Sequence, residues 1–162
     1  MKEKGMNKIE VGKKAPPFSL QDDSGTKVSL SSLAGQWVVL YFYPKNDTPG
    51  CTVEACEFTS GLPKFDKLDA AVFGCSRDTP ETHRKFIAKY KLKIKLLSDP
   101  EHTVMEKYGA WGEKNNYGKK TMGVIRSTVL IDPAGRVAHH WPTVKAAGHA
   151  EQVRTKLAEL AG

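Results

Sequence analysis

Two cysteines stand five positions apart where the sequence changes from a strand pattern to a helix pattern. Cys51 follows the loop residues Pro49 and Gly50, and Cys56 lies within the helical pattern that begins at Thr52. Cys51 is therefore expected in the first turn of a helix, where N–H groups without intrahelical partners carry partial positive charge. Such a position favours the thiolate, which is the nucleophilic form of cysteine. These residues could carry out thiol redox chemistry.

A helix start alone does not make a strongly reactive thiol. It contributes about 0.3–1 kcal/mol to an anion, up to about 2 kcal/mol in a favourable geometry. Lowering a thiol pKa from about 8.5 to about 6 requires roughly 3.4 kcal/mol. A second cation or hydrogen-bond donor is therefore needed beside Cys51. Without one, Cys51 would be only mildly activated.

The spacing of the two cysteines restricts how they can pair. In an intact α-helix, positions i and i+5 have Cα atoms about 8.6 Å apart. A disulfide needs a Cα–Cα distance of roughly 4.4–6.8 Å. Cys51 and Cys56 can therefore pair only if the start of the helix unwinds. The spacing leaves open whether Cys56 is a second redox thiol or an ordinary small residue of the helix.

The elements around this pair follow from the apolar pattern. Residues 37–43 form a continuous apolar, β-branched and aromatic run, which predicts a strand buried on both faces that Pro44 ends. In the helix that follows, the expected inward positions are Val53, Cys56, Leu62, Phe65 and Leu68.

The remaining elements alternate between strand and helix patterns. We expect a β-hairpin about residues 22–25, a helical turn at 31–35, strands at 70–75, 94–97, 126–132 and 136–141, helices at 80–91, 101–108 and 148–160, and a loop at 109–123. This order predicts an α/β fold with a central mixed sheet flanked by helices. Ligands of such sheets bind beyond the carboxyl ends of strands, where Cys51 and Cys75 both lie.

The composition is that of one globular domain, with 162 residues, 40% of them hydrophobic and 27% charged. Residues 1–10 are expected to be loosely ordered and residues 11–162 to form a single domain. Three cysteines argue against a disulfide scaffold and favour a reducing compartment. The start of the chain lacks an apolar signal core, so a cytoplasmic location is expected. No apolar run is long enough to predict a transmembrane helix.

The net charge of +7 raises the question of a nucleic-acid partner. However, the lysines are spread along the chain, and those of residues 89–95 alternate with apolar residues as on a solvated face. No specific nucleic-acid partner is therefore expected. The charge could instead attract an acidic protein partner.

Several motifs together resemble the peroxiredoxin family, and most closely its peroxiredoxin Q branch, also called bacterioferritin comigratory protein. Pro44, Thr48 and Cys51 match the active-site pattern of the family. The branch features, in order, are Cys56, Trp111-Gly112-Glu113-Lys114, Tyr117-Gly118-Lys119, Arg126-Ser127-Thr128, Leu130-Ile131-Asp132, Val144-Lys145 and Gly148-His149-Ala150. Val129 stands where the branch often has phenylalanine. The resemblance extends from about Val11 to Leu160.

The resemblance implies a thioredoxin-like fold and the reduction of hydrogen peroxide and organic hydroperoxides. Cys51 resembles the peroxidatic cysteine, whose thiolate becomes a sulfenic acid. Thr48 resembles the hydroxyl that bonds the thiolate and substrate, and Pro44 the residue that shields the pocket from water. Arg126 resembles the guanidinium that supplies the missing electrostatic help.

The resemblance also implies how the enzyme is recycled. Cys56 resembles a resolving cysteine that forms an intramolecular disulfide with Cys51. A dithiol protein such as thioredoxin would reduce that disulfide by exchange. This chemistry needs no metal or organic cofactor, and the branch implies a monomer. No membrane partner is expected, because the chain has no long apolar run.

Other interpretations of these residues stay open at this point. Cys75 lies at a strand end within possible reach of the active site, but a cysteine after Val72, Phe73 and Gly74 is more typical of a small buried residue. The five histidines stand at no ligand spacing with the cysteines, so no metal site is expected.

Two other functions compete with a peroxidase. A thiol–disulfide oxidoreductase or holdase chaperone could use the same cysteines, although a CxxC motif would favour it and this chain has four residues between them. A basic nucleic-acid-binding module is the alternative from another class. Turnover of peroxide would distinguish a peroxidase from the oxidoreductase or chaperone. A steep salt dependence of DNA retention would support the nucleic-acid-binding module.

Overall fold

A mixed β-sheet forms the centre of the molecule in this computed structural model, which describes residues 9–116 and 118–162. The strands are β1 (Ser19–Asp22), β2 (Lys27–Ser29), β3 (Trp37–Phe42), β4 (Ala70–Ser76), β5 (Lys95–Ser98), β6 (Trp111–Asn116), β7 (Lys119–Val124), β8 (Ser127–Ile131) and β9 (Val137–Trp141). The helices are α1 (Pro49–Lys67), α2 (Pro80–Tyr90), α3 (Thr103–Lys107) and α4 (His149–Ala161), and a 3-10 turn spans Leu30–Leu33.

Within these described residues, seven strands form one sheet in the spatial order β2-β1-β5-β4-β3-β8-β9. The pairs β3–β4 and β4–β5 are parallel, and the other pairs are antiparallel. The predicted mixed sheet and the N-terminal hairpin of β1 and β2 are therefore confirmed.

Strand β3 is buried on both faces, as its continuous apolar run predicts. Val38, Leu40 and Phe42 point into one core cluster. Val39 and Tyr41 point into the other, which α1 and α4 cover. Successive side chains of a strand point to opposite faces, so a strand with helices on both sides needs an apolar residue at every position.

The register of the sheet places the end of β3 beside the start of β8. Phe42, the last residue of β3, pairs with Ser127, the first residue of β8, and also with Cys75 of β4. The chain that leaves β3 and the chain that enters β8 therefore meet at one edge of the sheet. The segment from Pro44 to Cys51 lies at the same edge as Arg126.

Helix α1 begins at Pro49, one turn earlier than its apolar pattern suggests. Thr48 is the N-cap residue, with extended backbone angles (φ −98°, ψ 156°). Proline is well placed at N1, since an N–H there would have no intrahelical partner. The helix continues without interruption through Cys51 and Cys56.

The buried face of α1 differs in part from the expected one. Phe65 is buried as predicted, and Cys56, Leu62 and Leu68 are half-buried against the core. The expectation for Val53 is wrong, because its side chain is 42% exposed. The face that packs against the sheet instead carries Cys51, Glu54, Ala55, Phe58 and Phe65.

The interpretation of residues 109–123 as a loop is wrong. Strands β6 and β7 pair antiparallel from Trp111 opposite Val124 to Asn116 opposite Lys119, and form a separate two-stranded sheet. Most residues of β7 are exposed, so the hairpin lacks the apolar face that usually identifies a strand in a sequence. Tyr117, part of the resemblance, lies outside the described residues.

The other helices match their predictions closely. Thr79 caps α2, with its hydroxyl oxygen accepting a hydrogen bond from the backbone N–H of Thr82 at 3.2 Å. In the lysine-rich segment 89–95, Leu92 and Ile94 are buried and the lysines are exposed, as the alternation predicts.

Of the N-terminal segment expected to be loosely ordered, residues 1–8 lie outside the described residues, and Ile9 is buried. No helix in the described residues is long and apolar enough to span a membrane.

Candidate active site

The Cys51 sulfur lies in a buried position at the start of α1. Cys51 is the third residue of the helix and only 1% exposed. The first helical hydrogen bond joins the N–H of Thr52 to the carbonyl of Thr48 at 2.9 Å. The N–H groups of Gly50 and Cys51 come before it and are therefore not part of the helical hydrogen-bond pattern. Their partial positive charge lies next to the thiol, as predicted.

Arg126 supplies the second donor that a reactive thiol needs. Its Nη2 donates a hydrogen bond to the Cys51 Sγ at 3.2 Å. Although burial opposes the charge, the acidic groups Glu54 and Cys51 raise the pKa of Arg126 above its usual value. The guanidinium therefore stays charged beside the sulfur and favours the thiolate.

The contact depends on a small residue at position 50. A Cβ added at Gly50 would lie 3.2 Å from the Nη2 of Arg126. The glycine in the first turn of α1 therefore leaves the space through which the guanidinium reaches Cys51.

Glu54 binds the other side of the guanidinium, and it is not among the site residues expected from the sequence. Its Oε1 accepts a hydrogen bond from the Arg126 Nη1 at 2.5 Å, and its side chain is fully buried. Burial raises the pKa of Glu54 to about 7, and the nearby Arg126 only partly opposes this. Its spacing of three from Cys51 puts both on one helix face, which is the signal that could have found it.

The loop before α1 carries the other two predicted residues. Pro44 is the second residue after the end of β3 and is half-buried. The Thr48 hydroxyl donates to the carbonyl oxygen of Lys45 at 2.9 Å. The hydrogen bonds described for this hydroxyl do not include one to the Cys51 sulfur, although its oxygen can still accept one.

Cys56 lies on the same helix as Cys51, and both are free thiols. Because α1 is regular between them, the Cα atoms are held at about the 8.6 Å of an ideal helix. Cys56 is half-buried beside a groove of about 420 Å³ between α1 and α4. Next to it, the Glu57 carboxylate accepts a hydrogen bond from the N–H of Gly148, at the start of α4, at 2.9 Å.

Cys75 lies on the other face of the sheet from Cys51. It is fully buried, in the core cluster that also contains Phe42, whereas Cys51 belongs to the cluster under α1 and α4. Burial raises the pKa of the Cys75 thiol well above its usual value, so it stays neutral. These features agree with the interpretation of Cys75 as a structural residue.

A buried histidine, His149, links α4 to β8. The His149 Nε2 lies 2.7 Å from the Thr128 Oγ1, and its Nδ1 lies 3.2 Å from the Gln152 Oε1. The amide oxygen can only accept, so Nδ1 donates to it and Nε2 accepts from the Thr128 hydroxyl. Burial lowers the pKa of His149, which favours this neutral form.

Among the described residues, no group of three or more His, Cys, Asp and Glu side chains could hold a metal ion.

Comparisons with known proteins point to one family. Residues 11–140 match the model of the AhpC/TSA family. The chain is 45% identical over 152 residues to Peroxiredoxin Bcp of Bacillus subtilis, covering 94% of this chain and 97% of that protein. Among solved structures, a PrxQ variant of Xylella fastidiosa matches with a TM-score of 0.91 and 36% identity, over 97% of this chain and 100% of the other. The bacterioferritin comigratory protein of Xanthomonas campestris, described as having alkyl peroxide reduction activity, matches with a TM-score of 0.86 and 39% identity, over 97% and 100%.

Proposed function

The chain belongs to the AhpC/TSA family and is a thiol peroxidase of the peroxiredoxin Q (Bcp) group with a thioredoxin-like fold, and we propose that Cys51 is its peroxidatic cysteine. The observation that carries this proposal is the hydrogen bond from the Arg126 Nη2 to the Cys51 Sγ at 3.2 Å. It places a charged donor beside a buried sulfur at a helix start, which are the conditions that favour a thiolate.

The proposed first step is attack of the Cys51 thiolate on one oxygen of hydrogen peroxide or an organic hydroperoxide. The S–O bond forms as the O–O bond breaks, the sulfur is oxidised to a sulfenic acid, and the leaving oxygen takes up a proton to become water or an alcohol. Arg126 stabilises the negative charge that moves from sulfur to the leaving oxygen.

Thr48 and Pro44 are proposed to shape the place where the peroxide binds. Because the Thr48 hydroxyl donates to the Lys45 carbonyl, its oxygen is oriented to accept a hydrogen bond from the peroxide O–H. Pro44 lies half-buried in the loop just after β3 and has no N–H to hydrate, so it helps to keep water from the thiolate.

The proposed second step is resolution by Cys56. Its thiol attacks the Cys51 sulfenic acid, an S–S bond forms, and water leaves. The regular helix between the cysteines keeps them too far apart, so residues of the first turns of α1 must unwind in each turnover. A dithiol protein such as thioredoxin would then reduce the disulfide by exchange.

Both cysteines of this cycle lie in one helix of one chain. We therefore propose that a monomer completes the cycle and that residues 11–162 act as one domain. Size-exclusion chromatography of the reduced and the oxidised protein tests the first part. A disulfide-linked dimer after oxidation would contradict it.

The proposal is tested by mapping thiols after reaction with one equivalent of hydrogen peroxide. Peptide mass analysis should find a Cys51–Cys56 disulfide within seconds in the wild type. In Cys56→Ser, the oxidation should stop at Cys51 as a sulfenic or sulfinic acid. Cys75→Ser is the matched control, because its thiol is buried on the other face of the sheet, and it should behave as the wild type.

The other outcomes would change the proposal in different ways. A Cys51–Cys75 or an intermolecular disulfide would keep Cys51 as the peroxidatic residue and overturn the role of Cys56. Absence of reaction at Cys51 would overturn the peroxidatic assignment. A disulfide formed only by exchange with other disulfides would favour the oxidoreductase alternative.

A further inference from the structure

One guanidinium serves two acidic groups in this site. Arg126 donates from Nη2 to the Cys51 Sγ at 3.2 Å and from Nη1 to the Glu54 Oε1 at 2.5 Å. A thiolate and a carboxylate each carry one negative charge, and the guanidinium carries one positive charge. If both acids were ionised, the trio would hold a net negative charge away from water.

The burial of the trio makes that net charge costly. Cys51 is 1% exposed, and Glu54 is 0% exposed. The second carboxyl oxygen of Glu54, Oε2, is also buried and has no hydrogen-bond partner among the described residues. Burying a charged oxygen without a partner costs more free energy than burying a neutral carboxyl group. The surroundings therefore favour the protonated form of Glu54 whenever Cys51 is a thiolate that accepts the hydrogen bond from Arg126.

The groups that face the trio from the neighbouring elements add no second cation. Glu57 of α1 is a further negative group near Glu54, and its charge raises the pKa of Glu54. Tyr41 of β3 is neutral, because burial raises its pKa well above the usual value. His149 of α4 is held neutral by burial, which lowers its pKa. Of these groups, Arg126 alone is positively charged.

We propose that Glu54 and Cys51 share the single charge of Arg126, so that Glu54 binds a proton when Cys51 ionises and releases it when Cys51 is oxidised. This inference rests on the proposed role of Cys51 as the reacting thiol. Glu54 acts through Arg126 and is therefore a positioning residue. In this proposal it also takes up and releases the proton that keeps the charge of the site constant.

Including Glu54 balances the protons in the first step of the reaction. The thiolate displaces an alkoxide or hydroxide from the peroxide and becomes a sulfenic acid. The leaving anion takes up one proton, and Glu54, which no longer faces a thiolate, releases one. In net terms the site and its products exchange no proton with the solvent, whatever path the proton takes between them.

The size of the coupling follows from the distances. The two contacts and a guanidinium fork roughly 2.3 Å wide place the Glu54 Oε1 within about 8 Å of the Cys51 Sγ. At this distance and an effective dielectric constant of about 20, the charge of a Cys51 thiolate raises the titration midpoint of Glu54 by about 1.5 pH units.

The direct test is the titration of Glu54 by NMR in protein with ¹³C-labelled glutamate carboxyl groups. The reduced wild type is compared with Cys51→Ser, which removes the thiolate and keeps the size of the residue. The midpoint of the Glu54 resonance should lie about 1–1.5 pH units higher in the wild type. Equal midpoints, or a lower one in the wild type, would overturn the proposal.

A second test uses Glu54→Gln, whose amide oxygen can still accept the hydrogen bond from Arg126. The matched control is Asp66→Asn, an exposed acid of the same helix about 18 Å further along its axis than Glu54. The rate of Cys51 alkylation by iodoacetamide is measured from pH 5 to pH 9. In Glu54→Gln the pH profile of the alkylation rate should move to lower pH and fit a single-site curve, and in the control it should not change.

The outcomes separate this proposal from the proposed function. An unchanged profile in Glu54→Gln, or one moved to higher pH, would show that Glu54 only holds Arg126 in place and would overturn the shared proton. Neither test uses peroxide. Coupled titration without peroxide turnover would overturn the peroxidatic role of Cys51 and keep the shared charge, and turnover with uncoupled titration would do the reverse.

Discussion

Helix stability at the start of α1 should control how fast the Cys51–Cys56 disulfide forms. The helix holds the two Cα atoms about 8.6 Å apart, so the distance must shorten by about 2–4 Å before a disulfide fits. If unwinding is a rapid equilibrium before the reaction, the rate of resolution is proportional to the unwound population. A substitution that stabilises this part of the helix should then slow resolution without affecting the attack on peroxide.

Val53 is the best site for this perturbation, because it lies between the cysteines and is 42% exposed. Alanine and glycine differ by about 1 kcal/mol in helix propensity at an exposed position, which is about a fivefold difference in the unwound population. We therefore expect Val53→Gly to form the disulfide about five times faster than Val53→Ala, with the wild type between them.

The assay is rapid acid quench after one equivalent of hydrogen peroxide, followed by alkylation and mass analysis of the remaining thiols. The control pair is Ser60→Ala and Ser60→Gly, at an exposed position of the same helix beyond Cys56. This pair should differ little in the rate of resolution, since residue 60 lies outside the segment that must unwind. Equal rates for the two Val53 variants would refute the reasoning, and an effect as large at Ser60 would mean that the whole helix opens.

Three further predictions follow from the contacts of the site. Arg126→Met should slow the reaction of Cys51 with peroxide by roughly 10- to 100-fold, the value of a charged hydrogen bond, and should also lower the melting temperature because Glu54 loses its partner. Stopped-flow kinetics and thermal unfolding check this, with Arg154→Lys, at an arginine that pairs with Glu151 on α4, as control. Burial raises the pKa of Glu54 from 4.5 to about 7, so between these pH values the carboxyl group is protonated in the folded state and ionised in the unfolded state. The free energy of unfolding should therefore fall by up to about 3 kcal/mol as the pH rises from 4.5 to above 7. Urea unfolding should show this loss in the wild type and not in Glu54→Gln. Cys75→Ala should keep the wild-type peroxidase rate and lose about 1 kcal/mol of stability, measured by the same unfolding assay, because it removes one buried sulfur from the core; a loss of turnover would contradict the structural role.

The strands that hold the site were predictable because burial on both faces leaves a strong pattern. Strands β3, β4 and β8 are continuous apolar runs, and their positions follow from the sequence to within a residue or two. Their order in the sheet does not follow from that pattern, since β3 lies beside β8, which comes far later in the chain. The meeting of Cys51 and Arg126 was therefore expected only through the family resemblance.

The errors have physical causes of their own. The sequence of the β6–β7 hairpin predicts a loop, because its glycines, lysines and asparagines give no alternating apolar pattern, and the backbone pairing itself cannot be recognised in the sequence. Val53 was expected to be buried because apolar residues usually mark the inner face of a helix. Here the inner face is shared with a charged residue, Glu54, whose partner stands 72 positions away.

The same separation in sequence bears on the time at which the thiol becomes reactive during synthesis. Cys51 leaves the ribosome 75 residues before Arg126, and the two meet only through the pairing of β3 with β8. Until that pairing forms, the nascent chain carries an ordinary cysteine with no guanidinium beside it. Under the role proposed for Cys51, activation of the thiol is thus tied to completion of the sheet, and a partly made chain should react more slowly with peroxide at Cys51.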